Sequence, residues 1–173
     1  MTNDPSHPMK ATETEKFRSL LKSFDTAVLV THADAIHLRS RPMVIAHVDD
    51  NGDLWFITDD HSAKVHEIEE ETRVHVVCQN GRDSCVAVSG LAYLVRDRVK
   101  VKEFWKTPFR VWFPEGAEDP NIVLIRVAGE QGEYWDNTGI KRFTYLYRAV
   151  KAVLTGTVPE VTEGRQHGQV TLD

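Results

Sequence analysis

The sequence has too few of several features to belong to some large classes of protein. Only two of its 173 residues are cysteines, which excludes a disulfide framework of the small secreted kind. Its longest apolar runs, such as residues 27–30, are far shorter than the roughly 18 residues of a membrane span. The amino terminus is polar, with no apolar run behind a basic start. We therefore expect no secretory signal, no membrane contact and a cytoplasmic location.

Positive charge is also scarce, since 21 Lys and Arg residues face 26 Asp and Glu residues for a net charge of −5. This balance disfavours a dedicated nucleic-acid binder but permits a local basic pocket for a small phosphate. The patterns GxGxxG, GxxxxGK[ST], HExxH and GxSxG are absent, which removes the most direct evidence for nucleotide, zinc-protease or hydrolase chemistry. The eight histidines lack metal-ligand spacing, so we expect no metal site.

The composition, 41% hydrophobic and 27% charged, is that of a globular protein. Along the chain the spacing of hydrophobic residues alternates between the period of a strand and that of a helix. Helices are predicted over 12–24, 61–70, 97–106 and 142–155, and strands over 26–31, 36–48, 54–58, 73–79, 84–95, 121–127 and 133–136. Pro42 marks an edge, bulge or break in its strand. The fold class is mainly β with flanking helices (α+β), compatible with an antiparallel barrel. We predict a flexible amino terminus over 1–11, one domain over 12–155 and a disordered tail over 156–173.

The two cysteines, Cys78 and Cys85, lie in strand-like segments on either side of a turn at residues 80–83. If Gln79 faces Ser84 across that turn, then the two cysteines are cross-strand neighbours. Free cysteines of cytosolic proteins are commonly buried hydrophobes, so we expect two reduced core residues. The sequence leaves open whether they are redox-active.

Three short segments carry the groups that a phosphate requires. Arg39 and Arg41 share one face of a strand, Thr58 ends the next strand, and Ser62 and Lys64 open a helix. Phosphate oxygens accept hydrogen bonds from the two-pronged guanidinium group of arginine, from the ammonium group of lysine and from hydroxyl groups. They also accept from the free N–H groups at the start of a helix. Because hairpin geometry allows these groups to converge, the pattern predicts a pocket for a small phosphorylated ligand. The alternative is a solvated, charged surface.

An ordered series of motifs gives this pocket a more specific interpretation. The series is Ser40-Arg41-Pro42-Met43, residues 52–58, Ser62-Ala63-Lys64, residues 88–92, residues 112–116 and residues 133–136. In this order, over approximately 15–141, the chain resembles the general stress protein branch of the pyridoxamine 5'-phosphate oxidase-like, FMN-binding split-barrel proteins. The resemblance implies a six-stranded antiparallel split β-barrel and a homodimer with two FMN molecules at its interface.

The resemblance also implies a set of FMN-binding residues. Ser62 and Lys64 would hold the phosphate, and Arg41, Pro42 and Met43 would line the flavin ring and the ribityl chain. The remaining candidates are Arg39, Ile57, Thr58, Gln79, Trp112 and Trp135.

The function expected from this resemblance is that of an FMN-dependent redox protein of a stress response. If it is an enzyme, it is an oxidoreductase acting on a small acceptor. Two alternatives stay open, namely a non-catalytic protein that stores FMN or FAD, and a deazaflavin-dependent reductase.

The vitamin-making oxidases of the superfamily hold their substrate with an Arg-x-His pair close after a flavin-contacting tryptophan. Here Arg165-Gln166-His167 lies in a glycine-rich tail with no nearby preceding tryptophan and no strand pattern. We therefore expect no true pyridoxamine 5'-phosphate oxidase activity, and the substrate is left open.

Overall fold

The computed structural model describes residues 7–80, 84–136 and 167–172. Its helices are α1 (His7–Leu21), α2 (Ala63–Glu70) and α3 (Arg98–Phe104), with 3-10 turns at Thr107–Val111 and Gly116–Glu118. Its strands are β1 (Thr26–His32), β2 (Leu38–Val48), β3 (Leu54–Asp59), β4 (Arg73–Asn80), β5 (Ser84–Val95), β6 (Ile122–Asp136) and β7 (His167–Thr171). Within the described residues, no helix has the length and apolar character needed to cross a membrane.

Six strands form a closed antiparallel barrel, which confirms the predicted fold class. The strand order is β3-β2-β1-β4-β5-β6, and pairing of β3 with β6 closes the ring. β6 is long enough to pair with two different strands along the same edge. Residues 122–127 pair with β3, whereas residues 131–135 pair with β7, which lies outside the ring.

The β2–β3 hairpin forms where the Asn-Gly dipeptide predicts it. Gly52 takes a φ of 97°, and the Asn51 side chain accepts a hydrogen bond of 3.1 Å from the backbone N–H of Asp53. Earlier in β2, the register between β2 and β3 shifts between Ile45 and His47, and as a result the consecutive residues Ile45 and Ala46 are both buried. The sequence over 36–48 predicts strict alternation, with Val44, Ala46 and Val48 on one face and Ile45 and His47 on the other, and this prediction is wrong because a bulge interrupts it.

Two apolar clusters hold the domain together, one on each side of β3. Leu54 and Phe56 point into the barrel, where Phe17 and Leu21 of α1 join them with no exposed surface. Trp55 and Ile57, which alternate with them along β3, point outward, as strand geometry requires. Both pack in a second cluster with α3 and the first 3-10 turn. This second cluster fixes the aromatic segment that borders the cavity described below.

The predicted pairing of the cysteines is wrong by one residue. Asn80 faces Ser84, so Gln79 lies opposite Cys85 and Cys78 lies opposite Val86. A shift of one residue turns a side chain to the other face of the sheet, and the two thiols consequently differ in burial. Both are free, and burial, followed by the proximity of Cys85, raises the pKa of Cys78 to about 12. Cys78 is thus a buried hydrophobe rather than a nucleophile.

The chain termini depart from the sequence-based boundaries. α1 begins at His7, within the stretch predicted to be flexible, and residues 1–6 lie outside the described part. The prediction of a disordered tail is wrong for His167–Thr171, which forms β7 against β6. Val170 and Leu172 are both buried in the barrel cluster. The predicted helix over 142–155 and residues 156–166 lie outside the described residues.

Replacement of Leu172 by alanine should lower the free energy of unfolding by about 2 kcal/mol, because it removes a buried side chain and leaves a cavity. Leu172 packs close to Gly129, and its backbone N–H donates a 2.8 Å hydrogen bond to the carbonyl of Glu130. Urea denaturation measures the loss, with the exposed Thr171→Ala as control. A loss below about 0.5 kcal/mol would agree with a disordered tail instead.

Candidate functional site

A cavity of about 490 Å³ lies where β2 and β3 separate. The two strands pair only through residues 45–48 and 54–56, and Ile57 pairs instead with Leu124 of β6. This leaves one edge of residues 38–44 without a neighbouring strand among the described residues. The volume is typical of a site for a small molecule or cofactor. The lining residues are Arg39, Arg41, Pro42, Met43, Val44, Ile57, Thr58, Asp59, Ala63, Lys64, Phe109, Trp112 and Phe113.

The open edge of β2 presents backbone groups toward the cavity. The N–H of Ile45 donates to the carbonyl of Asp25 at 2.9 Å, at the start of the β1–β2 ladder. Because antiparallel ladders alternate, the backbone groups of Ser40, Pro42 and Val44 point away from β1. Pro42 therefore loses no ladder hydrogen bond, which confirms its predicted position at an edge. The backbone groups of Ser40 and the carbonyl of Pro42 therefore face the edge that no described strand covers, where the polar rim of a ligand can bind them.

One end of the cavity is formed by an ammonium group and two hydroxyl groups. The Lys64 Nζ donates to the Thr58 Oγ1 at 3.0 Å, and the Ser62 Oγ lies 3.4 Å from the same atom. Ser62 occupies the N-cap of α2 but makes no side-chain cap hydrogen bond, so its hydroxyl remains available. Burial, and then the charge of Arg41, lowers the pKa of Lys64. An anion placed here would relieve that unfavourable burial of positive charge.

Beside this end, a buried carboxylate holds both arginines. Glu67 of α2 accepts hydrogen bonds from the Arg41 Nη2 at 2.6 Å and from the Arg39 Nη1 at 2.8 Å. The Arg41 Nη1 donates to the Thr31 Oγ1 at 2.7 Å, and the Thr31 hydroxyl donates in turn to Glu67. Burial raises the pKa of Glu67, but the hydrogen bonds from Thr31 and Arg41 and the two guanidinium charges outweigh it and hold that pKa below its usual value. The glutamate is ionised at neutral pH.

The structure brings most of the predicted site residues together. Eight of them line the cavity, namely Arg39, Arg41, Pro42, Met43, Ile57, Thr58, Lys64 and Trp112, and Ser62 adjoins it through Thr58. Gln79 and Trp135 do not line it. They face Cys85 from its two sides, on neighbouring strands of the sheet.

Sequence reasoning missed several residues of the site. Val44, Asp59, Ala63, Phe109 and Phe113 also line the cavity. The two phenylalanines belong to a stretch over 107–120 whose proline, glycine and aromatic content predicts a loop but assigns no role to them. The acidic run Glu67, Glu69, Glu70 and Glu71 predicts a solvated helix face, and this prediction is wrong for Glu67 because its side chain is buried.

β7 gives the Arg-x-His sequence a setting that its composition did not indicate. His167 pairs with Trp135, and the two rings stack at 4.9 Å between centroids with an angle of 21°. The expectation that His167 lies outside any strand is therefore wrong, and β7 brings its ring beside a tryptophan that is distant in the sequence. Arg165 lies outside the described residues. In the described ranges, no group of three or more His, Cys, Asp or Glu residues is placed to hold a metal ion.

Comparison with known proteins places the chain in a family. The model of the family described as pyridoxamine 5'-phosphate oxidase like matches residues 12–160. General Stress Protein 26 from Bacillus anthracis str. Sterne is 29% identical, with a TM-score of 0.64 over 70% of this chain and 92% of that one. A general stress FMN/FAD binding protein from Xanthomonas citri is 26% identical, with a TM-score of 0.63 over 75% of this chain and 92% of that one.

A sequence relative comes from a fungus. Protein bli-3 of Neurospora crassa is 27% identical over 138 residues, which make up 74% of this chain. The matched region spans 60% of the length of that relative. The family match extends over most of the residues that build the barrel and the cavity. The chain therefore belongs to the pyridoxamine 5'-phosphate oxidase-like family.

Proposed function

We propose that the cavity binds FMN and that the protein is an FMN-dependent redox protein of a stress response. The observation that carries the proposal is the division of one cavity into a cationic, hydroxyl-rich end and an apolar, aromatic remainder beside an open strand edge. FMN has the matching parts, a phosphate at one end and a flat ring system with a polar rim at the other. The name of the Xanthomonas citri relative supports a flavin ligand.

The phosphate would lie against the start of α2. Lys64, Thr58 and Ser62 supply one charge and two hydroxyl groups within a few ångströms of one another. Arg39 can add a further contact, because its side chain is 59% exposed and its Nη1 alone is engaged by Glu67. Charge-assisted hydrogen bonds contribute about 1.5–3 kcal/mol each, so three or four of them are sufficient for micromolar binding.

The ring would lie along the open edge of β2. Met43, Val44 and Ile57 offer apolar surface on the strand side, and Phe113 adds an aromatic side chain from the segment that follows α3. Trp112 is 60% exposed at the rim and can cover a ring face. When bound, FMN supplies the electron-transfer chemistry, while these residues orient the ring and exclude water from it.

The decisive experiment is the absorbance spectrum of the purified protein, with the cofactor identified by mass after denaturation. Stopped-flow reduction by nicotinamide nucleotides then tests the redox role. We expect FMN by mass and reduction faster than that of free FMN. Reduction no faster than free FMN would favour the storage alternative, and a deazaflavin mass would favour the reductase alternative. A protein that neither carries nor binds any flavin would overturn the proposal.

We further propose a homodimer in which each chain completes the other's cavity. Pairing aligns Pro42, Val28, Val77 and Ala87 in one apolar row across the outer face of four strands. Val28 is 39% exposed, and Pro42 belongs both to this row and to the cavity lining. A second copy packed on the row would cover it. The adjacent row, which contains Gln79 and Trp135, would then face the partner's ligand.

Val28→Asp should convert a dimer to a monomer in sedimentation and weaken FMN binding, since it places a charge in the middle of the apolar row. Val99→Asp is the matched control, because Val99 is an exposed valine on α3 outside that row. A wild-type protein that sediments as a monomer at micromolar concentration with flavin bound would refute the dimer.

A further inference from the structure

Glu67 is the one carboxylate on α2 that is buried among the cations of the cavity. Arg39, Arg41 and Lys64 line the cavity and Glu67 lies behind them, so these four groups together carry a charge of 3 − 1, or +2. One acidic residue, Asp59, belongs to the lining and lowers the sum to +1; its carboxylate is 48% exposed and 3.5 Å from the His61 Nδ1.

Each arginine directs at least one of its donors at Glu67. Both terminal nitrogens of Arg41 are engaged, one by Glu67 and one by Thr31, and its side chain is only 16% exposed. Arg39 reaches the same carboxylate through its Nη1. A phosphate that bound either arginine as a bidentate partner would have to share it with this internal anion.

We propose that Glu67 is a positioning residue that acts as an internal counter-anion, competing with a ligand's phosphate for Arg39 and Arg41 and thereby setting the affinity of the cavity for phosphate-bearing ligands. The inference rests on the proposed FMN site.

Without a ligand, Glu67 stabilises three neighbouring cations that would otherwise repel one another in a partly buried space. Burial, and then the charge of Arg41, lowers the pKa of Lys64, whereas the charges of Asp59 and Glu67 raise it. With a dianionic phosphate bound, the same carboxylate adds a repulsive charge. Glu67 therefore stabilises the ligand-free protein and weakens phosphate binding.

The test is the variant Glu67→Gln, which removes the charge of the carboxylate and keeps the shape of the side chain. The control is Glu70→Gln, which makes the same change at an exposed carboxylate on the same helix. Affinities for FMN and riboflavin are measured by quenching of flavin fluorescence, and melting temperatures are measured with and without FMN. Glu67→Gln should bind FMN about three- to tenfold more tightly, with the affinity for riboflavin unchanged. Its melting temperature without ligand should fall, and FMN should raise it by more than in the wild type.

A weaker affinity of Glu67→Gln for FMN would overturn the proposal, because it would show that the carboxylate holds the arginines in their binding positions. Equal changes for FMN and riboflavin would also overturn it, since they would indicate a change in cavity shape. If the wild-type protein binds no FMN, the proposed function fails as well. If the wild type binds FMN and Glu67→Gln does not bind it more tightly, this inference fails alone.

A second variant separates charge from shape and carries the test if Glu67→Gln does not fold alone. Glu67→Gln combined with Arg39→Gln returns the local charge to that of the wild type. We expect this double variant to melt above Glu67→Gln and within about 5 °C of the wild type, but to bind FMN less tightly than Glu67→Gln, because Arg39 is also a proposed phosphate contact. An unfolded double variant, or one that matches Glu67→Gln, would refute a role based on charge.

Discussion

Lys64→Ala is expected to weaken FMN binding by about 2–3 kcal/mol, roughly thirty- to a hundred-and-fifty-fold, while the affinity for riboflavin changes little. The reason is that riboflavin lacks the phosphate, and Lys64 is the cation at the phosphate end that is held by a hydroxyl group, Thr58, rather than by a carboxylate in the described part of the chain. Titration of flavin fluorescence measures both affinities.

Lys22→Ala is the control for Lys64→Ala, because Lys22 pairs with Asp50 at the far end of α1 and is not part of the cavity lining. Equal losses for FMN and riboflavin would mean that Lys64 supports the fold or contacts the ring. An unchanged affinity for both flavins would show that the cationic end of the cavity is a solvated surface and not a phosphate site. The flavin proposal would then lose its main support.

The largest effect on stability should follow from Arg41→Ala, which we expect to lower the free energy of unfolding by about 3 kcal/mol. The change removes the 2.6 Å ion pair with Glu67 and leaves that carboxylate buried, with only the more exposed Arg39 as its cationic partner. Chemical denaturation of the ligand-free protein measures the loss. Adding Glu67→Gln to Arg41→Ala should restore part of the stability, because the uncompensated charge disappears.

Arg73→Ala provides the comparison for this prediction, since Arg73 also forms an ion pair, with Glu71, but on the protein surface. That variant should have a stability close to that of the wild type, as exposed ion pairs contribute little. If Arg41→Ala is no less stable than Arg73→Ala, then the buried network is not a structural element and Arg41 acts on the ligand alone.

The contrast between Lys64 and Arg41 shows where sequence reasoning stops. Both were assigned to the ligand because their residue types suit a phosphate and because their elements adjoin. Lys64 fits that assignment, but Arg41 is also committed to Glu67. The periodicity of a helix predicts only which of its own residues share a face. The partners of Glu67 lie outside the helix, 26, 28 and 36 positions away in the sequence. No local pattern carries that information.

Other differences have equally specific causes. The Asn-Gly turn can be predicted, and so can the bulge between Ser89 and Gly90, where β5 shifts its register against β6, because each depends on residues that are adjacent in the chain. The cysteine register cannot, because it depends on a difference of one residue in loop length. The segment from 167 to 172 has only two buried apolar side chains, Val170 and Leu172, which are too few to stand out from the preceding polar stretch. Gln79 and Trp135 lie outside the cavity lining, so a role for them at the flavin depends on the proposed homodimer, which a single sequence does not display.

The double pairing of β6 implies that local opening is unevenly distributed along a single strand. Residues 124–127 are enclosed by β5 on one side and β3 on the other, so their amides become accessible only when the barrel itself opens. Residues 131–135 have the short β7 on the second side, and β7 has no further strand beyond it in the described chain. Amides that bond to β7 should therefore exchange with solvent through detachment of this segment, at a lower free energy than global unfolding. β6 thus joins a slowly exchanging barrel to a separately opening carboxy-terminal unit.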